Sequence, residues 1–287
     1  HDNDHHIDEW SSLALCKDSE DVYVPLMVYT RWESTPSPGK NRLWFSKAPQ
    51  NSSSPYAVKK GGFDATNDHL QIGGTGSSET GEYCKIAVNK GIIANGRFYM
   101  VYYDSINTDL KFVYFINSTN VQNMLDPTAS FNVSGLILGL DYFIETIDST
   151  DDVGKYASMS VISLGSETSI HVAYHDSTNK TLKYARKIIT NGGHGAWGIQ
   201  TSLQSSDTNV TGSLRDWDGT TAITPDIVGE HTSISAKYRN TGTAASPAQS
   251  AGEYIVGIVC SNRKEDFTTN GSSVDGYISG AFFVWTK

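Results

Sequence analysis

The residues best suited to chemistry in this sequence are four aromatic side chains at one position of a repeated segment. Trp10, Tyr83, Tyr156 and His231 each follow a charged residue, Glu9, Glu82, Lys155 and Glu230. Aromatic faces beside charged groups suit a sugar or another small polar ligand, because rings cover its apolar side and the charges bond its hydroxyls. A second group stands at or near the turns that leave the second strand of each segment: Arg31, Asp104, Asp176 and Arg263. Trp32 joins it, since Arg31 and Trp32 open a Pro-containing loop, and loops on rigid scaffolds are where binding residues concentrate. These nine residues form the candidate ligand-binding set. The competing structural reading has the aromatics packing between sheets and the aspartates capping turns.

The elements that position them follow from the repeat. Ile7-Asp-Glu-Trp-Ser-Ser-Leu13, Thr80-Gly-Glu-Tyr-Cys-Lys-Ile86, Val153-Gly-Lys-Tyr-Ala-Ser-Met159 and Val228-Gly-Glu-His-Thr-Ser-Ile234 align, and Asp8, Gly81, Gly154 and Gly229 follow at intervals of 73, 73 and 75 residues. A fixed period marks radially arranged or stacked supersecondary units. Each segment opens an alternating run that reads as a strand. Second strands follow at Val24–Tyr29, Phe98–Tyr102, Ile170–Tyr174 and Tyr254–Val259, placing Tyr29, Tyr102 and Tyr174 in register. Asp104–Asp109 and Asp176–Lys180 read as hairpin turns leading to third strands at Leu110–Tyr114 and Leu182–Arg186. In the first and last repeats the turn is expanded, before third strands at Leu43–Lys47 and Phe282–Lys287. Fourth strands are readable at Asp141–Ile147, Trp197–Leu203 and His69–Ile72.

Such units predict an all-β chain, a β-propeller of four blades with three to four antiparallel strands each, spanning residues 1–287 as one domain with repeats at about 1–78, 79–151, 152–226 and 227–287. A two-sheet sandwich is the alternative that the regular period disfavours. The composition agrees, with 26 Gly, 15 Tyr and only 18% charged residues.

A net charge of -9 repels a phosphate backbone, so nucleic acid is excluded as a partner. No apolar run reaches the roughly 18 residues of a spanning helix, so no membrane insertion is expected of this segment. The first residues carry neither an initiator Met nor a signal core, as in a mature product or an excised domain. Cys16, Cys84 and Cys260 form no CxxC pair and read as small buried apolar residues, with one disulfide plus one thiol as the alternative. No cofactor is expected. Asp216-Trp-Asp-Gly219 and Asp148–Asp152 offer oxygen-rich loops for a structural Ca²⁺, without the full EF-hand pattern, and simple turn formation explains them as well. His1, Asp2, Asp4, His5 and His6 would suit a transition metal at an ordered terminus, yet termini fray. Sequons occur at Asn51, Asn117, Asn132, Asn179, Asn209 and Asn270, with a meaning that depends on the host.

The stretch Tyr142-Phe-Ile-Glu-Thr-Ile-Asp-Ser-Thr-Asp-Asp-Val-Gly-Lys-Tyr-Ala-Ser158, continuing through Ile170–Ala185, resembles a repeat of bacterial extracellular β-propellers related to the sialidase-like superfamily, closely over residues 142–203. The resemblance implies a propeller and an extracellular or cell-surface location. That broad group holds glycan-cleaving enzymes, lectins and non-catalytic modules. Its enzymes use an arginine cluster, a Tyr activated by a Glu and an acidic proton donor. Here the seven arginines, at 31, 42, 97, 186, 215, 239 and 263, assemble no such set, and the Ser-x-Asp-x-Gly-x-Thr-Trp box is missing. Glu145 reads as a structural residue, and no Gly-x-Ser-x-Gly elbow is present. No catalytic residue is therefore assigned. The expectation is a non-enzymatic extracellular recognition or adhesion module whose partner is a carbohydrate or a host surface protein. The alternatives are a glycan-active hydrolase of sialidase-like type, using the expanded loops 31–41 and 262–277, and a structural docking domain of a larger surface protein.

Overall fold

A computed structural model describes residues 7–17, 23–33, 40–47, 50–51, 54–58, 69–73, 81–90, 98–126, 132–190, 193–200, 227–240, 252–263 and 276–286. The chain is all-β, in antiparallel sheets. The first sheet contains β1 (Ile7–Lys17), β2 (Tyr23–Glu33) and β3 (Lys40–Lys47), and after the small pair β4 (Gln50–Asn51) and β5 (Ser54–Val58) it is completed by β6 (His69–Gln71). The second runs β7 (Glu82–Val88), β8 (Phe98–Asp104) and β9 (Asp109–Phe115), then passes through helix α1 (Thr119–Leu125) to its outer strand β10 (Tyr142–Asp148). The third comprises β11 (Val153–Leu164), β12 (Glu167–Asp176) and β13 (Thr181–Thr190), with β14 (Gly193–His194) and β15 (Gly198–Gln200) both paired to β13. The fourth is β16 (Ile227–Asn240), β17 (Gly252–Arg263) and β18 (Gly276–Thr286).

The ladders fix how the repeats correspond. Ser12 pairs with Val28, Lys85 with Val101, Ser158 with Ala173 and Ser233 with Val259. Side chains alternate along a strand, so each sheet has a leading side toward the next sheet and a trailing side toward the one before. Val28 lies in the cluster that joins the first two sheets and Val101 in the cluster that joins the second and third, while Ala173 lies in the cluster between the third and fourth. Tyr102 and Tyr174 fall one cluster earlier than their neighbours Val101 and Ala173, on the trailing side.

Packing between sheets supplies the core. Phe45 of the first sheet meets Phe98 and Phe115 of the second at ring distances of 5.2 and 5.1 Å, and those two stack at 4.3 Å. Such pairs add about 0.5–1.5 kcal/mol each beyond the area they bury. Helix α1 closes the edge of this cluster with Val121, Met124 and Leu125, and Ser118 caps it by accepting the Val121 N–H at 3.2 Å. Cys16, Cys84 and Cys260 are free thiols, all buried, and burial pushes the Cys84 thiol up to about 12.

Two anchor glycines show what sets the distance between sheets. A Cβ on Gly81 would stand 2.4 Å from Leu43 Cβ, and one on Gly154 would stand 2.9 Å from Leu110 Cβ and 3.0 Å from its Cα. Leu43 and Leu110 are third-strand residues of the preceding sheets, so the repeat keeps glycine where the incoming strand crosses its neighbour. The expected closure of four blades into one ring is not drawn by the described residues: the sheets touch in series, and Leu13 and Leu15 on the trailing side of the first are 60% and 52% exposed.

Gly154→Ala and Gly139→Ala separate backbone strain from close approach, since Gly139 has φ +82° and open space around it whereas Gly154 has φ +112° and meets Leu110. Both substitutions incur the strain of the left-handed region, and Gly154→Ala should cost about 1–3 kcal/mol more, the usual range for overpacking. Urea denaturation of the two variants measures this. Equal losses would show that the sheet spacing does not depend on the glycine.

Candidate functional site

The first strands of the four sheets converge on a cavity of about 360 Å³, lined by Trp10, Tyr83, Lys85, Tyr156, Ala157, His231 and Thr232. All four ring residues singled out from the repeat are therefore brought together. They form a row in which each ring touches the next: Trp10 to Tyr83 at 4.7 Å, Tyr83 to Tyr156 at 4.6 Å and Tyr156 to His231 at 4.7 Å.

Local backbone geometry aims these rings. Tyr83, Tyr156 and His231 have φ of 52°, 55° and 50°, a left-handed conformation that bulky residues seldom adopt. Each coincides with a break in the ladder, between Glu82 and Lys85, Lys155 and Ser158, and Glu230 and Ser233. A bulge of this kind turns a side chain out of the alternation of its strand, and a left-handed non-glycine residue costs about 1–3 kcal/mol. The same device recurs in three repeats, so the orientation of the rings is built into the repeat.

Lys85 and Thr232 reach the cavity without having been expected there. Strict alternation hides them, and the bulge, which the sequence signals only by the glycine before it, brings them in. Thr232 is held by donating its hydroxyl to Tyr156 O at 2.5 Å, and Cys84 Sγ donates to Trp10 O at 3.6 Å, so neighbouring repeats brace each other just behind the rings. Lys155 points to a different task. Its ammonium pairs with Asp152 at 2.6 Å and lies 5.2 Å from the Tyr103 ring centre, while Tyr103 donates to Asp152 at 2.7 Å. Burial and the Asp152 carboxylate raise the Tyr103 phenol above its ordinary range.

The second group of expected ligand residues does not join the cavity. Asp104 is fully buried, accepting the Ile106 N–H at 3.2 Å and the Asn107 amide at 2.6 Å, and Asp176 accepts the Asn179 N–H and side-chain amide, each at 2.9 Å. Both carboxylates close their own hairpin turns, the role of Asp at the start of a tight turn, and the Asp-x-x-Asn spacing was the signal for it. Arg31 is also absent from the lining. Its guanidinium carbon sits 5.4 Å from the Trp44 ring centre on the first sheet. Trp32 pairs with Asn41 and Arg263 pairs with Gly276, and their side chains lie outside the described part. The loops 34–39 and 264–275, Asp216–Gly219 and the N-terminal His1–His6 lie outside it as well.

Asp176 belongs to a buried ionic knot. Lys183 Nζ lies 3.1 Å from both Asp148 Oδ2 and Asp176 Oδ2, and Tyr174 donates to Asp148 Oδ2 at 2.8 Å. Burial alone would raise the Asp176 carboxyl, but the Asn179 bonds and the Lys183 ammonium outweigh it and hold the group below its usual value. Burial likewise works against the Lys183 charge, and the two carboxylates reverse it. Asp151 accepts from Asn179 and Asp152 from Tyr103 and Lys155, so these carboxylates of the acidic loop have protein partners. Among the described residues no group of three or more His, Cys, Asp or Glu side chains is arranged to hold a metal ion. Glu145 accepts from Lys187 and Trp197, which gives it the structural role read from its strand position.

No family model matches the chain, and no curated protein does. Three solved structures have a similar chain course. A GH62 hydrolase in complex with xylotriose shares 7% identity over 98% of this chain and 92% of its own, at a TM-score of 0.35. An N-acetylgalactosamine deacetylase from F. plautii in complex with blood group B trisaccharide shares 8% identity over 98% of this chain and 73% of its own, at 0.41. The catalytic domain of Coprinopsis cinerea GH62 alpha-L-arabinofuranosidase shares 8% over 96% and 90%, at 0.32. The expectation of a non-enzymatic recognition or adhesion module is corrected by these neighbours, which are enzymes acting on carbohydrate. Likeness at these scores concerns the general arrangement of strands and gives no residue of the cavity a role.

The knot yields a measurable consequence. Lys183→Met leaves two buried carboxylates facing each other, which should cost about 3–5 kcal/mol at pH 7, the usual loss when one partner of a buried pair is removed. The parent's Asp176 has a depressed folded pKa, so its contribution is present above the unfolded value and is lost as pH falls through the folded one. In the variant a carboxyl takes up a proton more readily, so the difference should shrink between pH 7 and pH 4.5 in urea titrations. A difference that is constant with pH would refute the coupling.

Proposed function

We propose that the chain is a glycan-active hydrolytic enzyme, built as a β-propeller whose axial cavity seats a short saccharide. The observation that carries this reading is the row of four rings, one from each repeat, around a cavity of about 360 Å³. That volume falls within the range of about 300–1,000 Å³ typical of small-molecule sites. Strain supports it too: the left-handed conformations at Tyr83, Tyr156 and His231 are what hold the rings toward the opening, and backbone strain of this kind concentrates at working sites.

The roles follow from the chemistry of the lining. Trp10, Tyr83 and Tyr156 offer faces to the apolar side of a sugar ring, and Lys85 and Thr232 offer donors to its hydroxyls. His231 brings an imidazole to the lining, the side chain most often used as a general acid or base, and is assigned the exchange of a proton with the bond being cleaved. The third sheet, with the repeat that resembles extracellular propellers, supports action outside the cell or at its surface.

His231→Gln tests the assignment directly. General acid–base catalysis contributes about 10²–10⁴-fold, so turnover of the best substrate in a glycan panel should fall by that factor while binding of the same glycan changes little. Tyr156→Ala should instead weaken binding and turnover together. Turnover unaffected by His231→Gln, or glycan binding unaffected by Tyr156→Ala, overturns the reading.

A further inference from the structure

The first and fourth sheets each present a face that every inner sheet of the chain buries. On the trailing side, Ile86 and Val88 pack into the cluster between the first and second sheets, Met159 and Val161 into the next, and Ile234 and Ala236 into the third. Leu13 and Leu15 hold the same two positions in the first repeat, yet they are 60% and 52% exposed, and Tyr23 beside them is 57% exposed. The leading side repeats the pattern. Val28, Val101 and Ala173 are fully buried, whereas Val259, which holds their position in the fourth sheet, is 45% exposed.

Polar groups on these faces tell the same story. Ser12 Oγ accepts the Ile86 N–H at 3.2 Å and Ser160 Oγ accepts the Ala236 N–H at 3.1 Å, so serines on a leading side bond the first strand of the sheet that follows. Ser233 and Ser235 occupy those serine positions in the fourth repeat and are exposed. On the trailing side of the first sheet, Arg31 Nε and Trp44 Nε1 are buried without a hydrogen-bond partner.

We infer that the leading face of the fourth sheet docks on the trailing face of the first sheet in a second copy of this chain, continuing head to tail the interface that the chain builds three times within itself. A second copy is the partner for which both complementary faces are present in these residues. Two such junctions make a ring of eight sheets, at the upper end of the range of about four to eight blades for propellers. His231 and Trp10, the two ends of the row, make no ring contact with each other among the described residues, as closure within one chain would demand. The inference rests on the sheets turning about one axis and is independent of what the cavity binds.

Light scattering coupled to size exclusion should give twice the 31.3 kDa of one chain. Leu13→Glu should return the mass to that of one chain while the far-ultraviolet dichroism stays unchanged. Val259→Glu, on the opposite face, should do the same and serves if the first variant fails to fold. Mixing Leu13→Cys with Val259→Cys under mild oxidation should give a disulfide-linked pair that neither variant forms alone. A monomeric parent overturns the inference, whether the Leu13→Cys, Val259→Cys double variant then closes on itself or stays open as a stack awaiting further sheets. A dimer indifferent to both glutamate variants overturns it by placing the contact elsewhere, and masses well above the dimer overturn the closed ring.

Discussion

The close crossing of each incoming first strand over the third strand of the sheet before it governs the rest of the molecule. At Gly81 and Gly154 the backbone approaches Leu43 and Leu110 so nearly that no side chain fits. The aromatic residue two positions later then falls where its left-handed backbone turns the ring inward, and the hydrophobic strand that continues from it is pressed against the preceding sheet. Spacing, ring direction and core burial are thus one constraint expressed three ways. A looser crossing would relax the bulge and the cavity together.

Much of this was legible in the sequence because the repeat is regular. The period located the first, second and third strands, and the placement of Tyr102 and Tyr174 on trailing sides, with Val101 and Ala173 on leading ones, follows from alternation alone. The four rings lining the cavity were found the same way. Alternation also misled where the strand bulges, since Lys85 and Thr232 gain access only because the residues before them leave the pleat. Helix α1 escaped notice because Val121, Met124 and Leu125 fill less than two turns, too short for a helical period to show. Asp104 and Asp176 were misplaced for another reason. A carboxylate opening a turn looks like a ligand group until its acceptor sites are counted against the turn's own donors. How the sheets are set relative to one another was beyond reach in principle, because sequence counts repeats and the angle between them is set by packing.

Polar burial follows the same economy. Where the second and third sheets meet, Lys183 sits between Asp148 and Asp176 with Tyr174 donating alongside, and Lys187 pairs separately with Glu145. His171 is handled by neutrality. Burial and the Arg186 charge lower its imidazole to about 3, and its two nitrogens meet Ser169 and Tyr184. Lys85 and His231, by contrast, line the cavity.

The serial contact between sheets also bears on how the chain comes apart. Each hydrophobic cluster joins one sheet to the next. A structure coupled only through nearest neighbours behaves as a one-dimensional array, in which stability is a sum of unit and junction terms and unravelling starts at an end. Within one chain the first and fourth sheets are the two ends. The fourth carries His231 and the first carries Trp10, so the two ends of the aromatic row ride on end elements, and amide exchange in them would report how often the row is whole.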